Sequence, residues 1–226
     1  MIETIKTIWE GLDFSVLTGI LLSVVPALLC IVFHELCHGF VAYKLGDNTA
    51  KSAGRLSLNP FKHLDIVGLI AMMFLHVGWA KPVPVNMNSF KNPKRGMAIT
   101  ALAGPLSNIL LAAVVLLLYG FLYIPLLKLG DFGYVIIETL GRTAVFSCSL
   151  AVFNIFPIPP MDGSKVLFAL LPDKAYYKLM EYEHYGMLIV LLLVITGVID
   201  PVLTYLVNAL VGLLSPLMNL GFSFYI

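Results

Sequence analysis

Along most of the chain, apolar residues come in long unbroken runs, and polar residues gather in short stretches between them. Continuous runs predict membrane-crossing helices, because the strands of a barrel would alternate. The first run is 14–43, longer than the ~20 residues a hydrocarbon core needs; a kink at Pro26 and a tilt absorb the excess. Residues 44–64 are polar and punctuated by Gly46, Gly54 and Asn59-Pro60, which reads as loop. Residues 65–78 are apolar but would reach only about 21 Å as a helix, against a core of about 30 Å. In 79–95, Val83 and Val85 alternate with Pro82 and Pro84, which predicts extended chain. Further spans are expected at 97–123 and 134–156, joined by a polar turn at 127–133. A helix resumes at 164–171, a polar segment fills 172–184, and apolar runs at 185–199 and 202–220 flank Asp200-Pro201. The expected fold is an all-α integral membrane protein. It is a polytopic helical bundle of about 5–6 hydrophobic segments, with a re-entrant or extended loop region around residues 50–90. Residues 1–226 read as one domain, with a core at about 14–172 and accessory spans at 185–220.

Composition agrees with this reading. Hydrophobic residues make up 59% and charged residues 12%, where a soluble domain carries about 25% charged, and the mean hydropathy is +0.93. A net charge of +1 gives no reason to expect nucleic acid as a partner; the lipid bilayer is the expected surrounding. Cys30, Cys37 and Cys148 are odd in number and lie in apolar runs, so they read as packing residues rather than a disulfide framework. No removable signal peptide is recognisable in residues 1–13, and neither an internal repeat nor a low-complexity segment is visible.

One apolar run carries chemistry. Within 14–43 stand His34-Glu35-Leu36-Cys37-His38. Each helical residue turns by roughly 100°, so His38 returns to within roughly 40° of His34, one turn along. Both imidazoles reach one point beside the helix, and Glu35 lies on the adjoining flank. This is the H-E-x-x-H arrangement, in which two neutral imidazoles bind zinc and the glutamate handles the proton of a zinc-bound water. On a soluble helix such residues could be plain surface groups. Inside an apolar span three ionisable groups are expensive, and such groups mark function.

Topology selects a third ligand. Basic residues favour the cytoplasmic side, and the basic loops are 44–62, 81–95 and 165–178. If 65–78 spanned fully, the first two would fall on opposite sides. If it dips in and returns, all three face the cytoplasm and the N-terminus faces out. Asp162 then lies about 15 Å from the cytoplasmic end of its segment, nearly the depth of His34. A catalytic zinc takes three protein ligands and a water, and a carboxylate at membrane depth needs a partner. Pro157, Pro159 and Pro160 interrupt the helix just before Asp162, which suits a water-filled cavity. The expected centre is one Zn²⁺ per chain on His34, His38 and Asp162.

The combination of His34-Glu35-x-x-His38, Gly104-Pro105-x-x-Asn108 and Asn154-x-x-Pro157-x-Pro159-x-x-Asp162-Gly163 resembles the site-2 protease family of intramembrane zinc metalloproteases. The stretches Gly54-Arg55-Leu56-Ser57-Leu58-Asn59-Pro60 and Gly78-Trp79-Ala80-Lys81-Pro82-Val83-Pro84-Val85-Asn86 look like its small bacterial members. The resemblance covers roughly residues 25–172. It implies a three-span catalytic core in a multi-pass cell-membrane protein and substrates that are membrane-spanning or membrane-associated proteins; no room is visible for PDZ or CBS domains. Glu35 is expected to act as general base and then acid. Substrate helices must unwind to be cut, and an exposed strand edge at 54–58 or 81–86, including Lys81, Val83 and Val85, could hold the extended chain. Asn154, with Pro157 and Pro159 beside it, is expected at the substrate backbone or developing oxyanion. Asn108 is grouped with these residues as a polar packing residue with a supporting role. His63 and His184 are expected at the interface and His76 in packing or loop, all away from the metal. The competing readings are a metal transporter, which would show several ligand pairs along a path, and a non-proteolytic membrane chaperone, which would be expected to lack a ligand or the glutamate.

Overall fold

The computed structural model describes residues 14–65, 68 and 80–225. Its helices are α1 (Phe14–Lys44), α2 (Thr49–Ser52), α3 (Pro93–Leu127), α4 (Asp131–Ile155), α5 (Asp162–Ala169), α6 (Asp173–Glu181), α7 (Glu183–Ile195) and α8 (Asp200–Phe222). The bundle is all-α as expected, with no named strand among the described residues. Among the described residues, four helices, α1, α3, α4 and α8, are long and apolar enough to cross a membrane. The apolar run 185–199 instead gives α7, which is too short to count among them. The run breaks at Gly197, whose φ of +66° suits glycine and ends the helix.

The long helix α3 is the hub, packing on α1, α4, α5 and α8. Asn92 caps its start by accepting a hydrogen bond from the Arg95 N–H, and Pro93 sits in the first turn, where a missing N–H costs nothing. Its last turn passes directly into α4 through Gly130, at φ +62°, so the two helices run antiparallel. The crossing of α3 and α8 is close because both sides are glycine: a Cβ on Gly120 would lie 3.0 Å from Gly221 Cα and closer still to the Met218 carbonyl. Large apolar side chains such as Leu110, Val145 and Leu213 are exposed, which fits faces turned to lipid.

The connection between α1 and α3 brings its two halves together. Leu64 and Ala80 form an antiparallel bridge, and the Lys81 N–H donates to the His63 carbonyl at 2.9 Å. The loops after Lys44 and before Pro93 therefore lie side by side at one end of the bundle. Of the expected dip at 65–78, all but residues 65 and 68 lie outside the described residues. Lys94 joins the same end to the exit of α5, donating to the Leu171 carbonyl and pairing with Asp173 at 3.0 Å.

Candidate metal centre

His34 and His38 stand one turn apart on α1, and Asp162 is the first residue of α5. All three are buried. His34 Nε2 lies 3.1 Å from Asp162 Oδ2, His38 Nε2 lies 3.0 Å from the same oxygen, and the two nitrogens are 2.9 Å apart. One ligand atom from each residue thus points at a common centre. Tetrahedral zinc, bonded at about 2.0–2.2 Å, separates its ligand atoms by about 3.3–3.5 Å. The triangle needs to open by only a few tenths of an ångström, and two imidazoles with a carboxylate are a donor set suited to zinc. His38 Nδ1 lies 2.7 Å from the Thr100 carbonyl, which can only accept, so Nδ1 carries a hydrogen and Nε2 is the nitrogen left to serve a metal.

Local sequence creates this convergence. The i, i+4 spacing places both rings on the face of α1 that meets α3. Gly104 lets α3 approach: a Cβ there would fall 2.6 Å from His34 Cε1, 2.5 Å from His38 Cε1 and closer to His38 Nε2. The prolines at 157, 159 and 160 break the α4 direction, and α5 restarts after an extended Met161. Gly163 then packs against the Ile155 carbonyl, where no Cβ fits, and buried Ser164 donates back to the Met161 carbonyl at 2.7 Å. Asp162 is thereby swung under α1. Lys165 approaches its other oxygen at 3.9 Å.

Glu35 is half-buried on the neighbouring flank of α1, and its Oε2 accepts a hydrogen bond from the Val83 N–H at 2.8 Å. Val83 belongs to a segment without regular secondary structure, residues 81–86, held at three further points. Lys81 N–H donates to the His63 carbonyl, Arg55 Nη2 donates to the Lys81 carbonyl at 2.6 Å, and Asn86 N–H donates to Asp47 Oδ2 at 2.6 Å. Burial pushes the Asp47 carboxyl up. Hydrogen bonds from the Thr49 hydroxyl, the Asn86 and Thr49 amides and the Ser89 side chain outweigh this and hold it below the usual carboxylate range. Gly39 opens room beneath the segment, since a Cβ there would meet Leu56 Cδ2 at 2.7 Å and Val83 Cγ1 at 3.0 Å.

Other sequence expectations fall as follows. Asn154 is half-buried near the end of α4 and donates through Nδ2 to the Leu150 carbonyl at 2.9 Å. Pro157 is exposed and Pro159 half-buried in the break that follows. Lys81 is exposed, Val85 half-buried and Val83 buried. Asn108 is enclosed behind His34. Segment 54–58 is not a strand: it bends, with Ser57 N–H donating to the Arg55 carbonyl. His63 is only 1% exposed, because its ring reaches the Ser57 carbonyl at 2.8 Å and pins that loop. His76 and the His184 side chain lie outside what is described. Cys30 and Cys148 are fully buried and unbridged, as packing residues should be. Sequence reasoning missed Asp47 and Arg55. Asp47 had a signal in Asp47-Asn48-Thr49, which forms a side-chain turn with Thr49 N–H and Oγ1 on Oδ1. The Thr100 carbonyl had none, since any residue supplies a backbone oxygen.

The family described as Peptidase family M50 matches residues 127–196. Over 192 residues the chain is 36% identical to "Putative zinc metalloprotease YwhC" of Bacillus subtilis (strain 168), covering 82% of this chain and 85% of that protein. It is 30% identical over 203 residues to "Putative zinc metalloprotease Rip2" of Mycolicibacterium smegmatis, covering 88% and 73% respectively. To "Putative zinc metalloprotease MJ0611" of Methanocaldococcus jannaschii it is 33% identical over 159 residues, covering 69% and 73%. No solved structure matches the chain.

Proposed function

Because the chain belongs to peptidase family M50, the site-2-type zinc metalloproteases, we propose that it hydrolyses peptide bonds of membrane-spanning or membrane-associated proteins from a site within the bilayer. The observation that carries this reading is the convergence of His34 Nε2, His38 Nε2 and Asp162 Oδ2 inside a bundle of apolar helices. His34 is ten residues from Lys44, so the centre lies about 15 Å below that end of α1. Lys51, Arg55, Lys62, Lys81, Lys91, Lys94 and Arg95 all belong to the loops and helix start at this end, which favours the cytoplasm for it and the outside for the N-terminus.

In the proposed mechanism, His34, His38 and Asp162 hold one zinc ion per chain. Zinc supplies Lewis acidity, making water acidic near neutral pH and polarising a peptide carbonyl. Glu35 Oε1 takes the proton of the attacking water and later gives it to the leaving amine, while the Val83 N–H keeps Oε2 fixed and the carboxylate aimed. The substrate lies extended along the outer edge of 81–86. Lys81 and Val83 turn their N–H groups inward, so in an extended chain the Pro82 and Pro84 carbonyls face the other way, and no hydrogen bond reaches them among the described residues. Those carbonyls are acceptors for substrate N–H groups. The Asn154 amide contributes a further contact to the substrate backbone or oxyanion. Residues 14–172 form the catalytic core in this reading, with α7 and α8 accessory to it.

The test is cleavage of a panel of single-span substrates in liposomes, wild type beside Glu35→Gln, with zinc content measured in both. Cleavage by wild type alone, with zinc in both, is the expected outcome. Turnover by Glu35→Gln, or a wild type without zinc, would refute the reading.

A further inference from the structure

Behind the metal centre, one buried side chain meets His34 the wrong way round for metal binding. Asn108 on α3 is 0% exposed, its Oδ1 has no hydrogen-bond partner, and its Nδ2 lies 3.4 Å from His34 Nδ1. His34 must present a bare Nε2 to a metal, which requires the hydrogen on Nδ1. Nδ1–H would then face an NH2 group, donor against donor. His38 has no such conflict, because its Nδ1 is opposite the Thr100 carbonyl. A half-turn of the Asn108 amide exchanges its oxygen and nitrogen, and brings the unpartnered Oδ1 to the place where Nδ1–H needs an acceptor.

We infer that Asn108 is a positioning residue that fixes the tautomer and ring plane of His34, its amide oxygen accepting from Nδ1–H when Nε2 is bare for a metal. With metal, Nε2 is bare and Nδ1–H donates to Asn108 Oδ1. The backbone around it is fixed: Ser147 Oγ donates to the Asn108 carbonyl at 2.8 Å, and Gly104, one turn earlier, brings α3 against both rings. This also accounts for the spacing Gly104-Pro105-x-x-Asn108, in which close approach and acceptor lie one helical turn apart. The inference rests on the metal-site reading above.

The test is zinc affinity of the full chain in detergent, by competition with a chromophoric chelator. Wild type is compared with Asn108→Leu, Asn108→Asp and, as a ligand-loss control, His34→Ala. Cobalt(II) absorption reports ligand geometry, and thermal unfolding of the metal-free forms reports folding. Removing such an outer partner typically weakens metal binding about 10–100-fold. Asn108→Leu should fall in that range with an altered cobalt spectrum, while Asn108→Asp, which keeps an acceptor oxygen in place, should return to within a few-fold of wild type. Equal affinity for Asn108→Leu and wild type would overturn the inference alone. So would an Asn108→Asp variant that folds like wild type yet binds as weakly as Asn108→Leu. A wild type that binds zinc no better than His34→Ala would overturn the metal-site reading itself.

Discussion

Gly104→Ala isolates how much the centre owes to the approach of α3. The perturbation is one methyl group, and alanine is the better helix former, so local propensity would favour the variant by about 1 kcal/mol. The new carbon would lie 2.5 Å from His38 Cε1 and 2.6 Å from His34 Cε1, where carbon atoms rest at about 3.5–4.0 Å. About 1 Å of separation is missing on both rings at once. Retreat of α3 would stretch the 2.7 Å bond from His38 Nδ1 to the Thr100 carbonyl; rotation of the rings would turn Nε2 away from Asp162. Overpacking of this kind costs about 1–3 kcal/mol. Metal-ligand distances tolerate only about 0.2 Å, so the cost should fall on the centre rather than on the helix. A 1–3 kcal/mol loss corresponds to about 5–150-fold in zinc affinity. Chelator competition on purified protein measures it directly, with circular dichroism to check helix content. A variant with wild-type zinc affinity and wild-type cleavage would refute the claim that Gly104 sets the ring positions.

Three other perturbations probe the surroundings. Val83→Pro removes the N–H that holds Glu35 Oε2 in a segment already flanked by Pro82 and Pro84; losing a charge-assisted bond of about 1.5–3 kcal/mol should lower turnover about 10–150-fold with zinc retained, measured by cleavage and metal analysis. Asn154→Ala should reduce turnover and leave zinc content unchanged; unaltered cleavage would reject its substrate contact. Asp47→Ala strips the acceptor from Asn86 and Thr49 and should expose 81–92 to limited proteolysis. Because the folded Asp47 carboxyl is held below its ordinary value, its stabilisation is present above about pH 4 and fades as pH falls further. The difference in proteolysis between wild type and Asp47→Ala should therefore shrink in acid; a difference independent of pH would contradict the hydrogen-bond account.

The convergence of His34, His38 and Asp162 was legible because it follows from periodicity and depth. An i, i+4 pair on an apolar helix fixes one face, and counting residues from the basic end gave Asp162 the depth of His34 before any contact was known. The spans were legible for the same reason, although the run at 185–199 showed that apolar length alone overlooks a glycine that ends a helix. What the sequence concealed is made of backbone groups. The Thr100 carbonyl, the Val83 N–H and the Lys81 carbonyl each take part at or beside the site. A main-chain atom leaves no trace in residue identity; only its partners do. Those partners are His38, Glu35 and Arg55. The prolines at 82 and 84 acquire a reason here: they remove the N–H groups that would otherwise stand on the outer edge. In the proposed binding mode, the edge left to a substrate accepts and does not donate. Such an edge cannot pair with its own copy, since two rows of acceptors have nothing to exchange. It can pair with a chain that brings its own N–H groups, as an unwound substrate helix does. On the proposed substrate mode, the prolines that mark 81–86 as extended chain in the sequence are also what would make its edge selective.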